Sequence, residues 1–275
     1  MKNEINRIAD RLVKAFNTNT VINPIPVKYC KNINLANKLR KLCEDQIKDE
    51  TIGIKAGGTG IQALKKLKEK EPFTAKVFKK RLVKSGQKVK INQHTKGIEV
   101  EVYYFIKKSF FDFKGKVTKS NVTKFIKFMG PCFEIVGFRQ RNKKFTYLGD
   151  ICGDFGFNIK FIVGRKTKFK KLNLNNLKTS LVSKKNSIKV NGNTNIVYIN
   201  PLNSLRFVLN KVKKDDINLN KDFYVFTGST VGVVPIIKKG IYIGKIEKIG
   251  SVRALISLWL FILVILNFLK EKIVS

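Results

Sequence analysis

Apolar residues recur at three- and four-residue steps in two places near the start of the chain. Ile5, Ile8, Leu12, Val13 and Phe16 share one face over residues 4–16, which predicts an amphipathic helix. Leu35, Leu39, Leu42 and Ile47 predict a second over 35–49, and Asn23-Pro24-Ile25-Pro26 separates the two. After Gly53 the pattern changes. From about Val89 the chain reads as short β-type runs punctuated by Gly, Pro and Asn: 97–106, 133–138, 157–163, 187–190, 196–199, 222–226, 232–237, 240–246 and 251–256. Further helices are expected at 120–129 and 202–212. Helices first and many short strands afterwards predict an α+β fold with a strand-rich core. The expected division is a helical segment over 1–70, a core over 71–257 and an apolar tail over 258–275.

Composition narrows the function classes. With 275 residues and 43% hydrophobic side chains, the chain can build a sizeable core, which excludes wholesale disorder. Lys+Arg number 56 against 19 Asp+Glu, a net charge of +37. The excess is mostly Lys, spread along a chain that also over-uses Asn, Ile and Phe, while the nine Arg are scattered. A clustered, Arg-containing patch is what reads phosphates and bases, so nucleic acid is not the expected partner. The single histidine, His94, excludes a His-rich metal site, and without it no Ser-His-Asp triad could be built. Cys30, Cys43, Cys132 and Cys152 form no CxxC pair and read as buried thiols in a reducing compartment. Residues 1–10 are charged and lack an apolar signal core, so a cytoplasmic setting is the expectation. The run 254–269 is apolar except for Ser257 and Asn267. As a helix it would span about 24 Å, short of the ~30 Å hydrocarbon core. A packed terminal helix is expected there, with weak membrane association through 254–269 as the alternative.

Candidate chemistry lies in the carboxylates. In a strand over 97–106, Glu99 and Glu101 share a face with Tyr103 and Phe105. Glu134 sits inside the apolar run Pro131-Cys132-Phe133-Glu134-Ile135-Val136. A carboxylate in a core needs a partner or a metal. Three carboxylates with no His or Cys suit a hard cation, Mg²⁺ or Mn²⁺.

Beyond these residues, a series of segments resembles the 2-keto-4-pentenoate hydratase / 2-oxohepta-3-ene-1,7-dioate hydratase-like branch of the fumarylacetoacetate hydrolase superfamily, which also holds 4-oxalocrotonate-type decarboxylases. The segments are Val21-Ile22-Asn23-Pro24-Ile25, Ile52-Gly53-Ile54-Lys55-Ala56-Gly57-Gly58-Thr59, Ile98-Glu99-Val100-Glu101 and the proline-x-x-glutamate run at Pro131–Glu134. Asn200-Pro201-Leu202-Asn203, Phe226-Thr227-Gly228-Ser229, Val233-Val234-Pro235-Ile236 and Ile249-Gly250-Ser251-Val252 follow in the same order, so the resemblance reaches to about Ile256.

The resemblance implies a β-rich core of mixed sandwich or roll type behind the N-terminal helices. It implies a hydratase that adds water to a small 2-oxo or 2-hydroxydienoic acid, with decarboxylation or tautomerisation as the alternative, and a homo-oligomer. It implies that Glu99, Glu101 and Glu134 hold the divalent metal and that Lys55 and Asp154 are catalytic. Gly57, Thr227, Gly228 and Ser229 would meet the substrate. There are departures. Phe73 stands where hydratases carry an acid, and Asp154-Phe155-Gly156-Phe157 places Phe where an Asn and a Ser are usual. Ile199-Asn200 replaces a Gly-His pair. These changes bear on water handling more than on enolisation, and they keep open a second reading, a descendant that retains the fold without the chemistry.

Overall fold

The computed structural model describes residues 2–92, 94–169 and 172–258. Helix α1 (Lys2–Thr18) is followed by α2 (Val27–Lys31), α3 (Ile33–Asp45), α4 (Ile61–Lys66), α5 (Leu148–Cys152) and α6 (Pro201–Lys214). The strands in chain order are β1 (Thr51–Gly57), β2 (Phe73–Phe78), β3 (Leu82–Lys84), β4 (Lys88–Ile91), β5 (Thr95–Ile106), β6 (Ile126–Gly137) and β7 (Asn158–Val163). They continue as β8 (Thr167–Lys168), β9 (Lys178–Ser183), β10 (Ile188–Asn193), β11 (Phe223–Ser229), β12 (Val234–Pro235), β13 (Gly240–Ile246) and β14 (Gly250–Leu258).

Two sheets form the core. The larger runs β2-β1-β11-β5-β6-β7-β3, with β12 on β5 and β8 on β6; the smaller runs β10-β9-β13-β14-β4. Alternation along β5 sends Ile98, Val100, Val102, Tyr104 and Ile106 into the core shared with Leu181, Tyr242, Val252 and Ala254 of the smaller sheet. The sheets approach so closely that a Cβ on Gly244 would stand 2.7 Å from the Phe133 ring. Helix α6 covers the same core with Leu205, Val208, Leu209 and Val212, and it starts cleanly because Asn200 caps it and Pro201 fills its first turn.

The N-terminal helices form their own layer. The predicted face of α1 is buried: Ile5, Ile8, Leu12 and Phe16 pack with Leu39 and Cys43 of α3, whose N-terminus is capped by Asn32. Each such side chain contributes about 1.5–3 kcal/mol on burial, so Leu12→Ala in the middle of the stripe is the change most able to loosen the layer. All four cysteines are buried and unpaired with one another.

Three expectations need correction. The segment 1–70 is not wholly helical, because Thr51–Gly57 enters the larger sheet between β2 and β11. The helix expected over 120–129 is one short turn, Val122–Phe125, after which the chain is strand: Phe128 pairs with Phe105, and cross-strand packing of aromatics outweighs helical periodicity. The strand expected at 196–199 is a loop, with Tyr198 and Ile199 at φ 47 and 76 and only Val197 inserted into the core. Residues 254–258 of the apolar run belong to β14; the rest of it lies outside the described residues. No helix among the described residues is long and apolar enough to cross a membrane.

Candidate functional site

Strand pairing builds the site. On β5 the residues opposite the inter-sheet face are Glu99, Glu101 and Tyr103, and on β6 they are Cys132 and Glu134. The antiparallel register sets Glu99 directly against Glu134. Like charges in that position repel, so the sheet itself creates a demand for positive charge. One oxygen from each of Glu99, Glu101 and Glu134 lies within 4.8 Å of the others. Lys55 reaches them from β1, two strands away, where it pairs with Phe226, itself opposite Tyr103. Its Nζ donates to Glu134 Oε1 at 2.6 Å, to Oε2 at 2.8 Å and to the Gly156 carbonyl at 2.9 Å.

One ammonium faces three carboxylates, and the balance is poor. Burial, reinforced by Glu134, pushes Glu99 up to about 8. Burial and then Glu134 and Glu99 push Glu101 well above the carboxylate range. Neither oxygen of Glu101 has a hydrogen-bond partner among the described residues, although the side chain is fully buried. Burial raises Glu134 too, against the pull of Lys55. Burial alone would discharge Lys55, but Glu134, with Glu101 and Glu99 behind it, holds its pKa above the ordinary lysine value. A buried carboxylate trio with an unsatisfied member fits a hard divalent cation: the donors are all anionic oxygens, and a cation would relieve both the repulsion and the orphaned atoms.

Of the residues expected at the substrate, Gly57, Gly228 and Ser229 line the same cavity as Lys55, Glu99 and Glu101. A register shift in β11 between Phe226 and Ser229 brings Ser229 opposite Glu101. Gly228 at the shift has φ +104, and a Cβ there would meet Thr59 Oγ1 at 2.0 Å, so only glycine fits. Thr227 is placed differently. Its hydroxyl donates to the Val102 carbonyl at 2.7 Å and its carbonyl accepts from Ser204 Oγ, which fixes the bulge from behind. Asp154 is also turned away from the cavity. Its carboxylate accepts from the Arg139 backbone N–H at 2.8 Å, Gln140 Nε2 at 3.0 Å and the Arg139 guanidinium at 3.1 Å.

What Asp154 anchors is a strained turn. Phe155, Gly156 and Phe157 all have positive φ, at 52, 68 and 70, a conformation that costs about 1–3 kcal/mol for each non-glycine residue. That turn aims the Gly156 carbonyl at Lys55. Phe155 faces away from the cavity and stacks on Phe16 of α1 with ring centroids 4.4 Å apart. Phe157 lines the cavity against Phe138, at 4.6 Å. Phe73 lies over Gly57, where an added Cβ would stand 2.2 Å from the ring. Sequence reasoning missed Gly156 as the acceptor of the third Lys55 hydrogen bond; a lone glycine between two phenylalanines, where a polar segment was expected, was the available signal.

The cavity holds about 1100 Å³ and opens to the surface past Phe145, Ile196 and Val233. It is a deep cleft with the carboxylates at its base and an apolar wall of Leu64, Phe138, Leu148 and Phe157.

Among solved structures the chain is similar to 4-oxalocrotonate decarboxylase from Pseudomonas putida G7 complexed with magnesium and adipate, with a TM-score of 0.79 at 17% identity over 94% of this chain and 98% of that one. It is also similar to 5-carboxymethyl-2-hydroxymuconate delta-isomerase from Mycobacterium smegmatis, with a TM-score of 0.55 at 12% identity over 76% and 80% of the two chains. Maleylpyruvate hydrolase from Sphingobium sp. SYK-6, in complex with manganese(II) and pyruvate, gives a TM-score of 0.52 at 12% identity over 75% and 70%. No family model matches the chain, and no curated protein sequence does. The chain therefore has the fumarylacetoacetate-hydrolase-type fold that its segments led one to expect.

Proposed function

We propose that this chain is a divalent-metal-dependent enzyme of the fumarylacetoacetate hydrolase superfamily that carries a small 2-oxo or 2-hydroxydienoic acid through the enolate common to both. The carrying observation is the buried trio Glu99, Glu101 and Glu134, in which pairing forces two carboxylates together and leaves the third without a hydrogen bond. These three would hold Mg²⁺ or Mn²⁺. When bound, the ion supplies a Lewis acid that polarises the 2-oxo group and acidifies the adjacent carbon.

The chain's own groups supply the rest. Lys55 is buried and charged. Toward a 2-hydroxydienoic acid it would give its proton to carbon. Toward a 2-oxo acid it would first pass that proton to Glu134, which it contacts through both oxygens, then take one from C3 and return it. Glu134 sets its charge state, and the Gly156 carbonyl holds its ammonium in the cluster. Gly57, Gly228 and Ser229 form the edges against which a substrate carboxylate would lie. Thr227 and Asp154 act one step back, fixing the bulge and the strained turn.

Three completions are open to an enolised dienoic acid: hydration, tautomerisation and loss of a carboxyl group. Hydration needs a water held beside the acceptor carbon. Here Phe157 occupies the wall next to Gly156, and the Ser229 hydroxyl already donates to the Gly232 carbonyl at 2.9 Å. The wall thus favours tautomerisation or decarboxylation over the hydration that the resemblance alone suggests.

The test has two parts. Solvent deuterium exchange at C3 of 2-oxobutanoate, followed by NMR, should require Mg²⁺ or Mn²⁺ and vanish in Glu134→Gln. With 2-hydroxypenta-2,4-dienoate, the expected outcome is loss of the dienol ultraviolet absorbance with no change in mass, the keto isomer being identified by NMR. Formation of 4-hydroxy-2-oxopentanoate would reinstate hydration, and absence of exchange with either metal would overturn enolisation.

A further inference from the structure

The cavity is far larger than a five-carbon acid needs, and its chemistry is uneven. The charged groups at its base are committed, Lys55 to Glu134 and Glu99 and Glu101 to the cluster. Above them the wall is apolar: Leu64, Phe138 and Leu148 are buried, and Phe157 is half-buried. At the mouth stand Phe145, Ile196 and Val233, exposed by 50%, 44% and 47%; the described residues show seven exposed large hydrophobics, and three of them line this one opening. These three give the mouth an apolar part beside the exposed Gln62, Lys65, Lys96 and Asn195 that also line it. Apolar surface exposed on a concave site marks something that is covered when the site is in use.

Three further lysines line the cavity, and none of them offers a buried, uncommitted cation. Lys143 is paired with Asp150 at 2.7 Å, and Lys65 and Lys96 lie exposed at the edge, where water screens them. A second carboxylate on the substrate's far end would therefore lose its water against phenylalanine and leucine without gaining a partner among the described residues. An uncharged chain would lose nothing and would bury apolar surface along the whole wall.

Resting on the enolisation reading above, we infer that the substrate is a 2-oxo monocarboxylic acid whose distal part is an apolar chain running from the glutamate cluster along Phe157 and Phe138 to the rim at Phe145, Ile196 and Val233. Its single carboxylate stays at the base of the cleft, which leaves tautomerisation as the completion, because loss of CO₂ into the 2-oxo group needs a second carboxylate on the chain. The apolar part of the mouth is closed by the substrate's own chain.

The test is a binding series on the Mn²⁺-loaded full-length protein, read by titration calorimetry: 2-oxobutanoate, 2-oxohexanoate, 2-oxooctanoate and 2-oxodecanoate, with 2-oxooctanedioate as the diacid control. Affinity is expected to rise about three- to fourfold per added methylene until the chain reaches the rim, and the diacid to bind at least tenfold more weakly than 2-oxooctanoate. Phe145→Ser and Ile196→Ser should flatten the slope of affinity with chain length, each variant being checked for an unchanged melting curve. A flat series, or tighter binding of the diacid, would overturn the inference while metal-dependent binding of 2-oxobutanoate kept the enolisation reading in place. Failure of every 2-oxo acid to bind would overturn both.

Discussion

Lys55 and Glu134 meet through two hydrogen bonds, at 2.6 and 2.8 Å, although 79 residues separate them and strands β11 and β5 lie between their own. The pair is the only neutralising contact that the carboxylate trio has among the described residues. It ties the outer half of the larger sheet to its centre by charge as well as by backbone pairing.

Removing the lysine should expose how much that contact carries. Lys55→Met leaves three carboxylates buried with no cation, a loss of about 3 kcal/mol in urea unfolding measured with a chelator present. Added Mn²⁺ should return much of that stability to the variant, because it restores positive charge to the same place. An equal loss with and without metal would mean that Lys55 acts through packing alone.

Metal should stabilise the wild type directly. At a hundredfold excess over Kd the gain is about 2.7 kcal/mol, or roughly 5–10 °C in Tm for a chain of this size. Glu101→Gln should abolish the shift. Without metal its Tm should equal or exceed that of the wild type, since a buried carboxylate that lacks any hydrogen bond has been removed.

Phe155→Asn tests whether the phenylalanine is a lost catalytic group or a core residue. Phe155 stacks on Phe16 and is almost fully buried. Restoring the polar residue of the resembled enzymes should cost about 3–5 kcal/mol and gain no hydration product. Denaturation together with mass analysis of the product decides between the two.

Acid sensitivity should have a contribution from His94. Burial lowers its pKa from the ordinary 6.5; Nδ1 lies 3.2 Å from the Phe138 carbonyl, and Nε2 has no partner among the described residues. The unfolded chain then binds more protons than the folded one just below pH 6.5. This part of the stability is fully present above 6.5 and is lost as pH falls toward the lowered folded value. Urea midpoints between pH 7 and 5 should decline less steeply in His94→Gln; parallel declines would rule His94 out.

Gly156→Ala should disturb Lys55 more than the fold. The new Cβ would stand 2.7 Å from the Ala75 Cβ and 3.7 Å from Lys55 Cδ, at a φ that disfavours alanine. A loss of about 1–3 kcal/mol in unfolding is expected, with a larger proportional drop in C3 exchange.

Much of this was legible in the residues. The stripe on α1 and α3 and the alternation on β5 follow from side-chain geometry alone, and the face shared by Glu99 and Glu101 came with them. Glu134 stood out as an acid in an apolar run. Other features depend on partners that a linear reading does not supply. Strand β1 carries Lys55 into the larger sheet, yet Ile52-Gly53-Ile54-Lys55 is too short and too glycine-rich to announce a strand. Gly130-Pro131 reads as a stop, but β6 runs through it because Tyr103 and Val102 on β5 pair with those two residues. Ile196–Ile199 has the composition of a strand, but its pairing stops at one bridge, Val197 to Gly60, with the Tyr198 N–H donating to the Thr59 carbonyl at 2.9 Å. The turning of Asp154 toward Arg139 was hidden too, since Arg139 is fifteen residues upstream and looked like one more scattered arginine.

The Phe16 ring, at the end of α1, is flanked by Phe155 on one side and approached by the guanidinium of Arg81 at 3.9 Å and of Arg139 at 4.9 Å. Its neighbour Phe155 belongs to the turn that presents the Gly156 carbonyl to Lys55. Positions 16 and 155 are therefore bound to drift together: a smaller ring at one invites a larger one at the other, and a polar replacement at 155 becomes tolerable only after 16 has changed. Among descendants of this chain, the amino-terminal helix should carry a record of what the turn behind Lys55 has been allowed to become.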